Sequence, residues 1–198
     1  IVFMGMGEPL ANYEPVARAI RILLDPNGLA FSHRRITVST VGLVPQLRRL
    51  GQELPVNLAV SLHAPDDALR TDLMPINRAH PLAELMAACR DYPLPPRKRI
   101  TFEVMLMADV NDDLKTARRL VKLLSGVRAK VNLIPFNPFP GTRYRRSSEE
   151  AIVRFRDLLL KGGVIATIRR TRGDDIDAAC GQLVGRVNDR TTIRLGQK

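Results

Sequence analysis

The stretch from Thr171 to Leu183 (TRGDDIDAACGQL) places one cysteine, Cys180, beside three acids in an otherwise basic chain. Small residues flank this cysteine on both sides and leave its sulfur accessible. The nearby Arg172 favours the thiolate, whereas the aspartates oppose it. The residues alone leave two interpretations open, a reactive nucleophile or a small thiol buried in a turn.

The formal net charge of +11 over 198 residues favours a polyanion as partner, because binding releases condensed counterions. Arginine pairs recur along the whole chain, so nucleic acid is the favoured partner and a solvated basic surface is the alternative. Two cysteines are too few for a disulfide framework or a four-cysteine zinc site. We therefore expect a reducing, cytoplasmic setting. We also expect no membrane segment, since no run approaches ~20 apolar residues.

Apolar runs alternate with segments of helical period, which predicts parallel βαβ units. The predicted strands are 1–4, 36–41, 56–61, 100–107, 130–134 and 164–168. The predicted helices are 14–24, 44–50, 66–72, 81–90, 112–124 and 148–161. This α/β alternation favours most of a (β/α) barrel with parallel strands and outer helices, and a doubly wound open sheet is the alternative.

Compact polar groups follow almost every predicted strand at its carboxyl end, where parallel α/β proteins place their sites. In chain order they are Gly5, Gly7 and Glu8; Ser39; Ser61, Leu62 and His63; Asp109, Asn111 and Asp112; and Asn137. Glycines allow close approach of a ligand, a carboxylate accepts from an amine, and hydroxyls or amides suit a carboxylate, ribose or base edge. The set therefore indicates a pocket for an amino-acid nucleotide, and neither a P-loop nor a dinucleotide fingerprint is present.

The remaining histidines and the second cysteine carry weaker signals. His63 is either a general base or a strand-end histidine that orients a loop or a ligand. We interpret His33 and His80 as incidental loop residues. Cys89 lies on the apolar stripe of a predicted helix and is interpreted as part of the core.

Seven motifs together resemble the radical S-adenosylmethionine methyltransferases of the RlmN family. They are MGMGEPL (4–10), TVSTVG (37–42), AVSLHAP (59–65), MPIN (74–77), VMLMADVND (104–112), NLIPFNPFPG (132–141) and RGDDIDAACGQL (172–183). The resemblance covers essentially the whole chain, and the last motif is the most specific. It implies methylation of carbon 2 of an adenine in 23S ribosomal RNA, and of transfer RNA in bacterial members.

The resemblance implies a partial (β/α)6 TIM-like barrel that lacks its first strand. Residues 1–198 would form one incomplete core domain, in which 164–198 supply the last strand, the loop with the carrier cysteine and a basic tail. The implied cofactors are S-adenosylmethionine and a 4Fe–4S cluster. The implied partners of this monomer are 23S rRNA, tRNA and an electron donor for the cluster. The implied S-adenosylmethionine-binding residues are Gly7, Glu8, Ser39, Ser61, Leu62, His63 and Asn137.

Cys180 would be the methyl carrier of such an enzyme. It would take a methyl group from one S-adenosylmethionine, and a 5′-deoxyadenosyl radical from a second would remove hydrogen from that methyl before it adds to the adenine. The family's C-x-x-x-C-x-x-C cluster motif and second catalytic cysteine are not found in the 198 residues, and Cys89 matches neither. We expect both upstream of Ile1, so that this chain alone is inactive.

Three alternative functions predict different outcomes. A sister family methylates carbon 8 of the same adenine and shares much of the barrel and the carrier cysteine. A basic RNA-binding module would act without catalysis and would tolerate replacement of Cys180. An ordinary thiol enzyme would need Cys180 and His63 within hydrogen-bond reach.

Overall fold

Six parallel strands form one sheet in the order β1-β2-β3-β4-β5-β6 in the computed structural model, which describes residues 1–5 and 7–169. They are β1 (Val2–Phe3), β2 (Thr37–Thr40), β3 (Asn57–Ser61), β4 (Ile100–Leu106), β5 (Ala129–Pro135) and β6 (Ile165–Ile168). Each strand pairs with its neighbour in sequence, whereas a doubly wound sheet reverses its order at a switch point. The predicted partial barrel is therefore confirmed, and the doubly wound alternative is wrong.

Helices follow the strands in the alternating pattern that the sequence predicts. They are α1 (Tyr13–Leu24), α2 (Val44–Glu53), α3 (Asp67–Leu73), α4 (Leu82–Asp91), α5 (Leu114–Leu123) and α6 (Glu149–Lys161). Three short 3₁₀ helices, which the sequence analysis missed, cover Pro9–Asn12, His33–Arg35 and Pro75–Arg78. Of the helices in the described part of the chain, none combines the length and the apolar character that a membrane span needs.

The starts of α4 and α5 differ from the prediction because of their caps. Pro81 was expected in the first turn of α4, but its extended ψ of 158° places it at the N-cap, outside the helix. The predicted helix over 112–124 begins only at Leu114, because the Asp113 carboxylate caps it and accepts hydrogen bonds from the N–H groups of Lys115 and Thr116. Ser148, the first residue of the predicted helix over 148–161, caps α6 and accepts a hydrogen bond from the Ala151 N–H.

The strands separate an apolar from a polar face because successive side chains alternate. In β4, Phe102 and Val104 belong to the core formed with the helices. We call this side the outer face of the sheet. Glu103 and Met105 alternate with them and lie on the opposite side, the inner face, which is the interior of the barrel. Among the described residues β1 and β6 are not paired with each other, so the barrel is open between them.

Candidate functional site

Glu8 connects the carboxyl ends of β1 and β2. Its Oε1 accepts a hydrogen bond from the Leu10 N–H at 2.9 Å, and its Oε2 accepts one from the Val41 N–H at 2.7 Å. A carboxylate offers about four acceptor sites, so Glu8 retains capacity for the amine of a ligand. Gly7 precedes it at φ +85°, and nothing lies within 4 Å of the place where a side chain would project. The backbone of this loop is therefore open to a ligand.

A buried arginine, Arg70, connects the ends of β2 and β3. Its side chain is fully buried, and its Nη2 donates to the carbonyl oxygens of Val41 at 2.7 Å and Ser61 at 3.3 Å. Its Nη1 donates to Asn77 Oδ1 at 2.8 Å. The peptide groups of Val41 are thus held by Glu8 at the N–H and by Arg70 at the carbonyl, which joins three strand ends into one unit.

Asn77 links Arg70 to an acid without direct contact between the two charges. The Asn77 Nδ2 donates to Asp67 Oδ1 at 2.8 Å, and the same oxygen accepts from the Leu82 N–H at 2.8 Å. Burial lowers the pKa of Arg70 to about 10, while the charge of Asp67 opposes that shift. The guanidinium therefore stays protonated at neutral pH and places a positive charge beneath the strand ends. Arg70 was not predicted from the sequence, because a charged residue in a short helix carries no signal of burial.

His63 follows β3 in the left-handed region, with φ +59°, which is uncommon for a residue other than glycine. Its Nδ1 accepts a hydrogen bond from the Met105 N–H at 3.1 Å, which leaves the proton of the neutral ring on Nε2. Burial, and to a lesser extent the Arg70 charge, lower the pKa of His63 to about 4. At neutral pH the ring is a hydrogen-bond donor, so the orienting role is favoured over the general base.

The polar residues after β4 stabilise the loop that follows this strand and are not directed at a ligand. Asn111 is fully buried, its Oδ1 accepts from the Met107 N–H at 2.8 Å, and its Nδ2 donates to the carbonyl oxygen of His63 at 2.9 Å. Asp109 pairs with Arg145 at 2.5 Å, and Asp112 caps the Asp109 N–H at 3.1 Å. These three residues therefore fix the conformation of the loop that follows β4, and Asn111 also fixes the backbone of His63.

Three of the predicted binding residues, Ser39, Ser61 and Asn137, have polar side chains, whereas Leu62 is apolar. Ser39 is buried, and Ser61 and Asn137 are half-buried. Within the described residues, the side chains of these three form no hydrogen bond with one another or with a neighbour. Leu62 differs, because its side chain is fully buried in the core. The three polar side chains are available to a ligand, whereas Leu62 could contribute main-chain groups alone.

A row of polar side chains crosses the inner face at the level of Ser61. Ser61 pairs in register with Glu103, Glu103 with Asn132, and Asn132 with Thr167. Glu103 is 8% exposed, and burial raises the pKa of its carboxyl group, while Arg169 and a hydrogen bond with Asn132 oppose that shift. We call these four residues the inner row. The sequence analysis missed it; the available signal was one acid inside the apolar run ITFEVML.

The donor set fits S-adenosylmethionine better than it fits a metal cluster. Among the described residues no group of three or more His, Cys, Asp or Glu is arranged to hold a metal ion. Cys89 lies in the core as predicted, and burial raises the pKa of its thiol to about 12, which makes it unsuitable as a cluster ligand. We call the strand-end residues Gly7, Glu8, Ser39, Ser61, His63 and Asn137 the rim. The carboxylates, hydroxyls and amides of the rim and the inner row match the amine, carboxylate and ribose of an amino-acid nucleoside. Cys180 lies outside the described residues.

The chain belongs to the radical SAM superfamily, whose sequence family matches residues 1–121. Over 184 residues it is 65% identical to the dual-specificity RNA methyltransferase RlmN of Syntrophobacter fumaroxidans. That match covers 93% of this chain and 54% of the relative, so the chain spans about half of the relative's length. The predicted resemblance to RlmN is confirmed.

Two solved structures share the fold. The crystal structure of a radical SAM methyltransferase from Sphaerobacter thermophilus is 52% identical, with a TM-score of 0.87, over 92% of this chain and 54% of that one. A domain of pyruvate-formate lyase-activating enzyme from Bacteroides vulgatus is 18% identical, with a TM-score of 0.65, over 86% of this chain and 98% of that one. The second likeness supports the fold alone.

Proposed function

We propose that the protein to which this chain belongs is a radical S-adenosylmethionine RNA methyltransferase that methylates carbon 2 of an adenine in 23S rRNA and in tRNA. The observation that carries the proposal is the 65% identity, over 93% of this chain, to an enzyme described as a dual-specificity RNA methyltransferase. The open polar rim at the carboxyl ends of the strands supports it, because that is where barrel enzymes bind their substrates.

In this proposal the rim holds S-adenosylmethionine through complementary polar groups. The loop at Gly7 and Glu8 accepts the amine of the methionyl part, because its backbone is open and the carboxylate keeps acceptor capacity. Ser39 and Asn137 supply uncommitted hydroxyl and amide groups at neighbouring strand ends. The Nε2–H of the neutral His63 ring donates a hydrogen bond, and its position is set by Met105 and Asn111.

Cys180 carries the methyl group in the proposed reaction. Its thiolate attacks the sulfonium methyl carbon of one S-adenosylmethionine, which forms a carbon–sulfur bond and releases S-adenosylhomocysteine. A second S-adenosylmethionine, reduced by one electron from the cluster, would supply the 5′-deoxyadenosyl radical that activates the methyl group on Cys180 for transfer to the adenine, and the second catalytic cysteine would release the methylated RNA from Cys180. Tethering places the one-carbon unit at the reacting partner, which is the benefit of proximity.

The end of β6 supports this role for Cys180. The strand ends at Ile168, and the Arg169 N–H donates to the Leu133 carbonyl oxygen at 2.8 Å, so the chain leaves the sheet at the edge where the rim lies. A segment of roughly 12 residues can span up to about 40 Å when extended. This contour length is sufficient for Cys180 to reach the pocket in the proposed reaction. We place the 4Fe–4S cluster and the second catalytic cysteine on residues outside this chain.

The loop after Asn137 supports RNA as the substrate. The Phe139 ring is 45% exposed, and the Arg143 guanidinium lies 5.0 Å from the centroid of the Tyr144 ring. Exposed aromatic and guanidinium planes are suited to stacking on unpaired bases. Together with the net charge of +11, this favours a basic, aromatic surface beside the pocket. We further propose that the protein is a cytoplasmic monomer that receives its electron from a separate donor.

Nucleoside analysis of cellular RNA tests the proposed function. The complete coding sequence, or its Cys180→Ala variant, is expressed in a host that lacks adenine carbon-2 methylation, and 23S rRNA and tRNA are digested for mass spectrometry. We expect 2-methyladenosine in both RNAs with the parent protein and none with the variant. 8-Methyladenosine would assign the protein to the sister family, and equal RNA binding without any methylation would support the binding-only alternative.

A further inference from the structure

Glu103 occupies a position in the barrel that the proposed chemistry does not yet use. It lies on the inner face of β4, in register with Ser61 on one side and Asn132 on the other. Its carbonyl oxygen accepts hydrogen bonds from the Leu62 and His63 N–H groups at 2.9 and 3.2 Å. Adjacent strands lie about 4.8 Å apart, so the Glu103 side chain stands beside the Ser61 hydroxyl.

The environment of Glu103 is costly for an acid without a ligand. Its residue surface is 8% exposed, and within the described part of the chain no lysine or arginine forms an ion pair with it. Arg169 acts on it at longer range, and Asn132 supplies one hydrogen bond. A buried acid with few internal partners destabilises a fold unless another group uses its acceptor oxygens. The expected occupant therefore brings hydrogen-bond donors into the barrel.

We propose that Glu103, supported by Asn132, binds the ribose hydroxyls of S-adenosylmethionine as an extension of the site at Ser61. The inference rests on the proposed function, since it takes S-adenosylmethionine as the ligand of the rim. A carboxylate suits vicinal hydroxyls because both of its oxygens accept, as when an acid recognises the ribose of a dinucleotide. With the methionyl amine at Glu8, the nucleoside extends from β1 across the inner face towards β4.

The residues of the inner row have distinct tasks in S-adenosylmethionine binding. Ser61 and Glu103 face the ribose, and Asn132 holds the carboxyl group of Glu103 in orientation. Thr167, which is exposed, lies at the open edge of the row. Glu103 thereby makes the site selective for a ribonucleoside over its deoxy counterpart, because a deoxy ligand leaves the buried acceptor unpaired.

Paired ligands and variants test this assignment in the full-length protein with its cluster reconstituted anaerobically. Calorimetry measures the affinity for S-adenosylmethionine and for its 2′-deoxy and 3′-deoxy analogues, in the parent, Glu103→Gln and Glu103→Ala. The parent should prefer S-adenosylmethionine to at least one analogue by roughly ten- to hundredfold, the range for a hydrogen bond to a charged group. In Glu103→Ala this preference should fall to within about threefold. Thr101→Ala, one inner-face position earlier on β4, is the matched control and should keep it.

Thermal unfolding of the same ligand-free holoproteins separates binding from structure. Glu103→Gln should keep or raise the melting temperature, because it removes a desolvated acid while conserving shape. The inference would be overturned if Glu103→Ala kept the full preference for S-adenosylmethionine over the deoxy analogues. It would also be overturned if the affinity of Glu103→Gln for S-adenosylmethionine fell only in proportion to a fall in its melting temperature. If Glu103→Ala does not fold, Glu103→Gln tests the inference instead. Its amide keeps only one acceptor oxygen, so this variant should lose most of the preference for S-adenosylmethionine over the deoxy analogues. A parent protein that binds no S-adenosylmethionine would contradict the proposed function itself.

Discussion

Val60 and Phe102 face each other on the outer side of β3 and β4, while Ser61 and Glu103, one residue further along each strand, face each other on the inner side. The first pair is fully buried against the helices, and the second pair is polar and lies beside the rim. A step of one residue therefore separates the part of the sheet that stabilises the fold from the part that meets the ligand. Substitutions on the two faces should accordingly affect different measurements.

The largest expected effect comes from the outer face. Replacing Phe102 by Ala removes a fully buried ring and should lower the free energy of unfolding by about 3–5 kcal/mol. Urea unfolding of the full-length protein, with Thr101→Ala as control, measures the loss. The folded fraction should bind S-adenosylmethionine with parent affinity. A changed affinity for S-adenosylmethionine in well-folded Phe102→Ala would contradict the view that the outer face affects stability alone.

Arg70 connects the faces, so its replacement should affect both measurements. Arg70→Met leaves the carbonyl oxygens of Val41 and Ser61 without their buried donor and should cost about 1–3 kcal/mol of stability. We also expect affinity for S-adenosylmethionine to fall more than tenfold while affinity for RNA is kept. Arg70→Lys should recover part of the loss. Arg119→Met, which removes an exposed ion pair, is the control and should leave both quantities nearly unchanged.

The pKa of His63 predicts a stability that depends on pH. The folded-state pKa of about 4 lies below the ordinary histidine pKa of 6.5, so the unfolded chain binds the proton more readily. Stability is fully present above about pH 6.5 and should fall by up to ~1.4 kcal/mol per pH unit as the pH drops towards 4. Asparagine tolerates positive φ and offers an acceptor oxygen, so His63→Asn should fold and flatten this slope. An unchanged slope in denaturant titrations at several pH values would assign it to other groups.

The smallest expected effect comes from a helix cap outside the inner row. Asp113 caps α5 through hydrogen bonds to two backbone N–H groups, so Asp113→Ala should lower the free energy of unfolding by about 1 kcal/mol. Affinity for S-adenosylmethionine should stay at the parent value. A weaker affinity in this variant would show that the helix layer and the inner face are coupled more tightly than the contacts indicate.

Local patterns in the sequence predicted the elements but not the partners across strands. The alternation in β4 and the Ser148 cap of α6 follow from neighbouring residues, and both were predictable. The inner row was not, because the register that places Glu103 between Ser61 and Asn132 is set by packing of the whole sheet. Arg70 was missed because a charged residue in a short helix carries no signal of burial, and its carbonyl partners Ser61 and Val41 lie nine and 29 residues earlier in the chain. The strand exits were predictable, because topology alone brings parallel strand ends together.

A crystal structure of the full-length holoprotein with S-adenosylmethionine bound tests the central claim most directly. We predict that the methionyl amine lies at Gly7 and Glu8, and that a ribose hydroxyl lies about 2.6–3.2 Å from a carboxylate oxygen of Glu103, with the Ser61 hydroxyl beside it. The same structure would contradict the account if the nucleoside lay away from the inner face, with Glu103 paired to protein side chains alone.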